Sequence, residues 1–220
     1  MRYIYMLPAA FLAPVIHEWV KAMVSTALGD PTPREHGFLT LNPFRYFEPI
    51  GFLFIMIFGF GWGNPTPTAA LHYRDRRNGI LITYVTPVLV NLLLGVGAVI
   101  GVSMLLNIHN SHVPVSHNVF FYFVTTSGWT TDLYTISILV LAHFAFVNIN
   151  LALFNLIPVY PLAANKLLLL YSRPENIARY THYEKPMQVG LVLMLAFGVV
   201  SMIIYPIALH IIRIAWGIVF

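Results

Sequence analysis

Long apolar runs constrain this chain more than any other feature of its sequence. Several of them reach or exceed the roughly 20 residues that an α-helix needs to cross a bilayer. Hydrophobic residues make up 58% of the 220 positions and charged residues only 9%, which leaves no stretch that reads as a separate soluble domain. The sequence therefore predicts an all-α polytopic membrane protein with a single membrane domain, residues 1–220.

The boundaries of the apolar runs give a topology. Spanning helices are predicted at about residues 4–28, 79–106, 133–158 and 187–216. The first of these lacks a basic n-region and a small-residue cleavage site, so we expect a retained helix and not a signal peptide. The run at 50–62 is bounded by prolines and too short to span, which favours a re-entrant segment. A short helix is expected over about 162–170.

Basic residues cluster in two of the predicted loops and indicate an orientation. Loops 64–78 and 171–186 hold six of the twelve Lys and Arg residues, so the positive-inside rule places both loops on the cytoplasmic side of a bacterial-type inner membrane. We interpret the group Arg74, Arg76 and Arg77 as a topological anchor, with binding of lipid head groups as the open alternative. The formal charge of +4 is explained by such loops and needs no nucleic-acid partner.

One short motif places ionisable side chains inside the first predicted span. Residues 17–21 read His-Glu-Trp-Val-Lys, one letter short of His-Glu-x-x-His, in which two imidazoles bind zinc and the Glu activates a water. Lys21 replaces the second His, and an ammonium group has no lone pair to offer a metal. Charged groups at membrane depth are costly, so the motif is a functional-site hypothesis in spite of this change.

The rest of the chain resembles the site-2 protease (M50) family of intramembrane zinc metalloproteases. The similarity follows the family's order along the chain in four stretches: His17-Glu18; residues 28–32 with 37–43 and 48–51; Phe60 to Pro67, which is similar to Phe-Gly-Trp-Ala-Lys-Pro-Val-Pro; and Asn155 to Leu162, which is similar to Asn-Leu-x-Pro-x-x-Pro-Leu. The resemblance implies a site-2-protease-like helical core with a short membrane-edge hairpin after the first helix.

Two departures from the family pattern bear on the metal. The family's third zinc ligand is an Asp directly after Pro-Leu, and this chain has Ala163 there. The family's Gly-Pro-x-x-Asn element is also altered, with Pro87 displaced by one position relative to Asn91. Because His17 alone cannot hold zinc where three protein ligands are normal, we expect no cofactor and a vestigial site of His17, Glu18 and Asn155.

The residues that remain suggest a structural role for the altered motif. Glu18 and Lys21 are three apart on a helix and can form an ion pair across one turn. Alternatively, Lys21 snorkels toward an interface and Glu18 is partly protonated.

The other polar residues inside the predicted spans are read as structural. Asn91, His143, Asn148 and Asn150 are expected to form interhelical hydrogen bonds. Asn155 matches the family's active-site asparagine and would brace helices without metal. His109, His112 and His117 are read as solvated loop residues, although their spacing could recruit a metal.

Two functional classes follow from these residues. The first is a catalytically inactive site-2-protease-like protein that binds or braces another membrane protein, as an accessory subunit of a larger complex. The second is an intramembrane zinc metalloprotease with rearranged ligands, in which His36 or His143 joins His17 while Glu18 serves as the base. We favour the first, because the second requires a geometrically strict site to be rebuilt from other positions.

Overall fold

The architecture is all-helical over the residues that the structure describes. The structure is a computed structural model of the chain, and it describes residues 2–109, 118–125, 130, 132–172, 180 and 182–219. Four of its helices are long and apolar enough to cross a membrane: Tyr3–Ala27, Arg76–Ile108, Leu133–Phe154 and Val199–Trp216. The predicted fold class, an all-α polytopic membrane protein, is confirmed.

The helices are numbered here in chain order. Their bounds are α1 Arg2–Ala27, α2 Thr32–Glu35, α3 Pro43–Tyr46, α4 Pro49–Phe58, α5 Arg76–His109, α6 Asn118–Thr125, α7 Leu133–Phe154, α8 Ala163–Leu170, α9 Glu184–Ala196 and α10 Val199–Trp216. A single 3-10 turn at Ala70–His72 precedes α5. Arg173, Arg179, His112 and His117 lie outside the described residues.

Helices α1, α5 and α7 form the centre of the bundle. The contact between α5 and α7 is the most extensive, and α1 packs against both. Small residues of α1, among them Ala9, Ala10 and Ala13, are fully buried beside Val147 and Leu151 of α7. Small side chains let helix backbones approach closely, which is how helices pack in lipid.

The segment predicted to be re-entrant is a short helix followed by chain without regular secondary structure. Helix α4 begins after Glu48, whose carboxylate accepts the Gly51 N–H, and it ends at Gly59 with φ of 79°. Left-handed backbone of this kind favours glycine and stops a helix. Residues 60–69, called the extended segment below, then form neither helix nor strand, and Asn64 N donates to Tyr46 O at 2.8 Å. This return brings the extended residues alongside α1.

The last apolar run differs from the continuous helix predicted over 187–216. The structure divides it into α9 and α10 at Gly198, which has φ of 72°. The N–H of Gly198 donates to Leu195 O at 3.0 Å, closing α9 as glycine commonly closes helices. The helix is therefore interrupted where hydropathy alone predicts continuity.

Candidate functional site

The altered motif lies on the face of α1 that is turned toward the rest of the protein. Glu18 is 8% and Lys21 6% exposed. Lys21 Nζ donates to Glu18 Oε2 at 3.0 Å and to Oε1 at 3.4 Å, and it lies 5.2 Å from the centre of the Tyr84 ring. Lys21 is thus directed inward and pairs with Glu18, unlike a lysine that snorkels to an interface.

The extended segment after α4 supplies a second partner for Glu18. Thr66 N donates to Glu18 Oε2 at 2.7 Å, and Thr66 Oγ1 donates to the Glu18 backbone carbonyl at 2.9 Å. One carboxylate oxygen therefore accepts from both an ammonium and a backbone amide. These bonds fix the segment on α1. The Glu18 carboxylate, which a metalloprotease would present to a water molecule, is thereby occupied as a hydrogen-bond acceptor.

His17 belongs to a chain of buried amides that joins three helices. Asn91 Nδ2 donates to Asn148 Oδ1 at 3.0 Å and to Ala13 O at 3.3 Å, which makes Asn91 Oδ1 an acceptor. Its contact with His17 Nδ1 at 3.2 Å then assigns the ring proton to Nδ1 and the lone pair to Nε2. A metal-binding histidine is oriented in the same way by an outer partner.

Asn155 joins the end of α7 to the start of α8. Its Nδ2 donates to Leu151 O at 2.9 Å, and its Oδ1 accepts from Ala163 N at 3.3 Å. Ala163 itself is buried and packs with Val88 and Ala152. The position at which the family carries a metal-binding Asp therefore presents a methyl group to an apolar cluster.

A small cavity marks the place where these elements converge. It has a volume of about 20 Å³, and its lining includes His17, Glu18, Trp62, Pro65 and Asn155. A water needs roughly 10–15 Å³ of such space, so the cavity has room for about one water. It is too small for a peptide strand in this arrangement of the chain.

The residues at this place do not fit a zinc ion. A catalytic zinc takes three protein ligands and a water, and here only His17 offers a nitrogen lone pair. Lys21 brings a positive charge and Ala163 no donor at all. Among the described residues, no group of three His, Asp or Glu side chains could hold a metal.

The two histidines considered for a rearranged site lie elsewhere. His36 is exposed, and its Nδ1 contacts Thr32 O at 2.9 Å. His143 Nδ1 contacts Leu139 O at 2.7 Å within α7. His143 lines a separate, mostly apolar cavity of about 320 Å³, and His17 is not among the residues that line it. The structure does not bring either histidine into the cavity at His17.

The predicted interhelical hydrogen bonds are found for some of the buried amides. Asn91 and Asn148 bond between α5 and α7, whereas His143 contacts a carbonyl of its own helix. The buried side chain of Asn150 makes no hydrogen bond to the described part of the chain.

A second buried carboxylate, Asp30, holds the loop after α1. It accepts from Ser25 Oγ at 2.8 Å, Thr32 N at 3.0 Å and Ala69 N at 2.8 Å. Burial alone would raise the pKa of Asp30, but these hydrogen bonds outweigh it and hold the pKa below its usual value. Asp30 thereby anchors the far end of the extended segment that Thr66 attaches to α1.

Sequence reasoning did not assign Thr66 to the site, and it gave Asn91 only a bracing role. Thr66 lies within the Phe60 to Pro67 stretch that carries part of the family resemblance, which was the one available signal. Its contact with Glu18 spans 48 positions of sequence, and the spacing of residues says nothing about such a contact.

The fold and site together define a helical membrane protein with a buried His-Glu-x-x-Lys sequence at its centre. Comparison with known proteins finds a relative that is named as a metalloprotease. The chain is 29% identical over 181 residues, 82% of its length and 74% of the relative's, to a Bacillus subtilis (strain 168) protein named "Putative zinc metalloprotease YwhC". No family model matches the chain, and no solved structure matches it.

Proposed function

We propose that this chain is a catalytically inactive member of the site-2-protease-like membrane proteins that binds or braces another membrane protein. The similarity to a protein named as a zinc metalloprotease and the four motif stretches in family order support the ancestry. The replaced ligands support the loss of activity. Under this proposal the chain holds no zinc and its basic loops face the cytoplasm.

The observation that carries the proposal is the state of the Glu18 carboxylate. A general base must reach the proton that it removes, within about 3 Å or through one water. Here Glu18 Oε2 accepts from Lys21 at 3.0 Å and from Thr66 at 2.7 Å. The positive charge that zinc would supply is replaced by an ammonium, and the carboxylate serves to hold the extended segment.

The accessory role is supported by what surrounds the altered site. The chain keeps four helices of spanning length and a tightly joined centre, yet the cavity at His17 has room for only about one water. A protein retained for its scaffold would act through its outer surface. In the membrane that surface meets lipid and other spanning helices, so the expected partner is an integral membrane protein.

A cleavage assay tests the loss of activity. The purified chain is reconstituted with a membrane-spanning peptide, with and without added zinc, beside a Glu18→Gln variant as the matched control. We expect equal, background-level cleavage from both proteins. Zinc-dependent cleavage that disappears in the Glu18→Gln variant would establish the alternative, a metalloprotease with rearranged ligands.

Gentle purification tests the accessory role. Isolation from native membranes in mild detergent is expected to retain one membrane protein at a fixed stoichiometry. A chain that purifies alone from cross-linked native membranes would contradict the accessory role while leaving the loss of activity untouched.

A further inference from the structure

We propose that a groove between the start of α5 and helix α8 binds the head group of an anionic phospholipid. The groove has a volume of about 780 Å³, within the roughly 300–1,000 Å³ typical of pockets for small molecules. It is separate from the cavity at His17, and its lining differs from that cavity in being basic at one end and apolar at the other.

The basic end is formed by two side chains at the start of one helix. Arg76 and Arg77 begin α5, and Lys166 of α8 also lines the groove. None of the described residues that line the groove is acidic. Glu184 lies 4.0 Å from Lys166 and offsets its charge. Arg76 and Arg77 therefore give the described lining of the groove an excess of positive charge.

The arginines keep their hydrogen-bonding capacity toward a ligand. The Arg77 guanidinium lies over the Tyr171 ring, 5.0 Å from its centre, and such stacking leaves the N–H donors available in the guanidinium plane. Asp75 accepts from the backbone N–H groups of Arg77 and Asn78, at 3.0 and 3.1 Å, so its carboxylate caps α5. Guanidinium groups bind phosphate through paired hydrogen bonds.

The apolar end of the groove continues into the membrane-spanning part of α5. Ile80 and Tyr84 of that helix form this wall, and Leu169 and Leu170 of α8 also line the groove. The apolar run of α5 begins after Asn78, so Ile80 and Tyr84 belong to it and the two arginines lie just before it. With this run in the bilayer, the basic end lies at the membrane edge, where a lipid phosphate lies beside its acyl chains.

The combination of the two ends selects the ligand. A molecule that fits must carry a negative charge at one end and an apolar chain at the other, as a phosphatidylglycerol-type lipid does. A zwitterionic lipid would bring a cation against Arg76 and Arg77, and a free phosphate would leave the apolar wall unused. Basic pockets beside membrane helices bind anionic lipid head groups in this way.

Binding of soluble short-chain lipids to the full chain in detergent tests the proposal. The probes are dioctanoyl phosphatidylglycerol, dioctanoyl phosphatidylcholine and glycerol phosphate, and native mass spectrometry measures the bound fraction. The variant Arg76→Gln/Arg77→Gln is compared with Arg34→Gln/Arg74→Gln, which removes the same charge from exposed positions outside the groove. The melting temperature of each variant checks that it is folded.

We expect phosphatidylglycerol to bind on the order of tenfold more tightly than phosphatidylcholine and to lose roughly tenfold in affinity in the groove variant. The control variant should lose less than about twofold, because Arg34 and Arg74 do not line the groove. Equal binding of the two lipids, or equal loss in both variants, would overturn the proposal. Glycerol phosphate binding as tightly as the lipid would also overturn it and indicate a soluble phosphorylated ligand.

Discussion

At the scale of single residues, the proposed loss of activity depends on the ion pair between Lys21 and Glu18. Helical spacing alone suggests that the two side chains meet, and the structure places their charged atoms 3.0 Å apart. Sequence spacing could not suggest the bond from Thr66 N, because that bond depends on the return of the chain after α4. The local part of the site was therefore predictable, and the part made by distant residues was not.

Replacing Lys21 should show how much the ion pair with Glu18 contributes to the stability of the fold. We expect Lys21→Met to lower the free energy of unfolding by about 3 kcal/mol, because Glu18 is left buried without its charged partner. Thermal unfolding in detergent measures the change. The double variant Glu18→Gln/Lys21→Met should recover most of the loss, since neither group then carries a charge.

A Lys21→Met protein as stable as the wild type would contradict this account of the pair. It would mean that Glu18 is neutral, or hydrated, in the folded protein.

Asp30 gives the fold a dependence on acid pH. Its folded pKa lies below its usual value, so Asp30 contributes stability above its unfolded pKa and loses that contribution as pH falls through the folded pKa. We expect Asp30→Asn to cost about 1–3 kcal/mol at neutral pH, because buried donors lose a charged acceptor.

Melting temperatures measured from neutral pH to about pH 3 check this expectation. The difference between wild type and Asp30→Asn should narrow toward the acid end. A difference that is constant over the whole range would show that the charge of Asp30 contributes nothing.

At the scale of elements, the packing of α5 on α7 depends on one glycine. A Cβ at Gly95 would lie 2.6 Å from Ile149 Cγ1 and 3.0 Å from Ile149 N, whereas a Cβ at Gly97 would meet nothing within 4 Å. We expect Gly95→Ala to cost about 1–3 kcal/mol through overpacking. Gly97→Ala should be neutral or add up to about 1 kcal/mol, because alanine favours helix.

Unfolding of the two alanine variants side by side measures this contrast within one helix. Equal stability of Gly95→Ala and Gly97→Ala would mean that α5 and α7 do not approach as closely as the structure has them.

The sequence predicts a helix correctly where the length of an apolar run is enough to identify a membrane-spanning helix. The long runs that became α5 and α7 are visible because a spanning helix needs about 20 apolar residues. The division at Gly198 is not visible in this way, because glycine occurs inside many spanning helices and hydropathy does not distinguish a left-handed glycine from a helical one. Whether all of these elements form a single domain remains a prediction.

At the scale of the whole molecule, the scaffold and the metal site have separate requirements. The bundle of α1, α5 and α7 is held by small residues and by the His17, Asn91 and Asn148 network, none of which needs a metal. The resemblance to site-2 proteases implies that Lys21 and Ala163 stand at ligand positions contributed by different parts of the chain. A protein can therefore keep this fold, and the membrane surface that it presents, after the ligands have changed.

The measurement that tests the central claim most directly is the zinc content of the purified chain, with Lys21→His/Ala163→Asp as the comparison. We predict well below one zinc per wild-type chain, unchanged by His17→Ala. The comparison variant, which restores three ligands, should gain zinc that His17→Ala removes. One zinc per wild-type chain that is lost on His17→Ala would contradict the account.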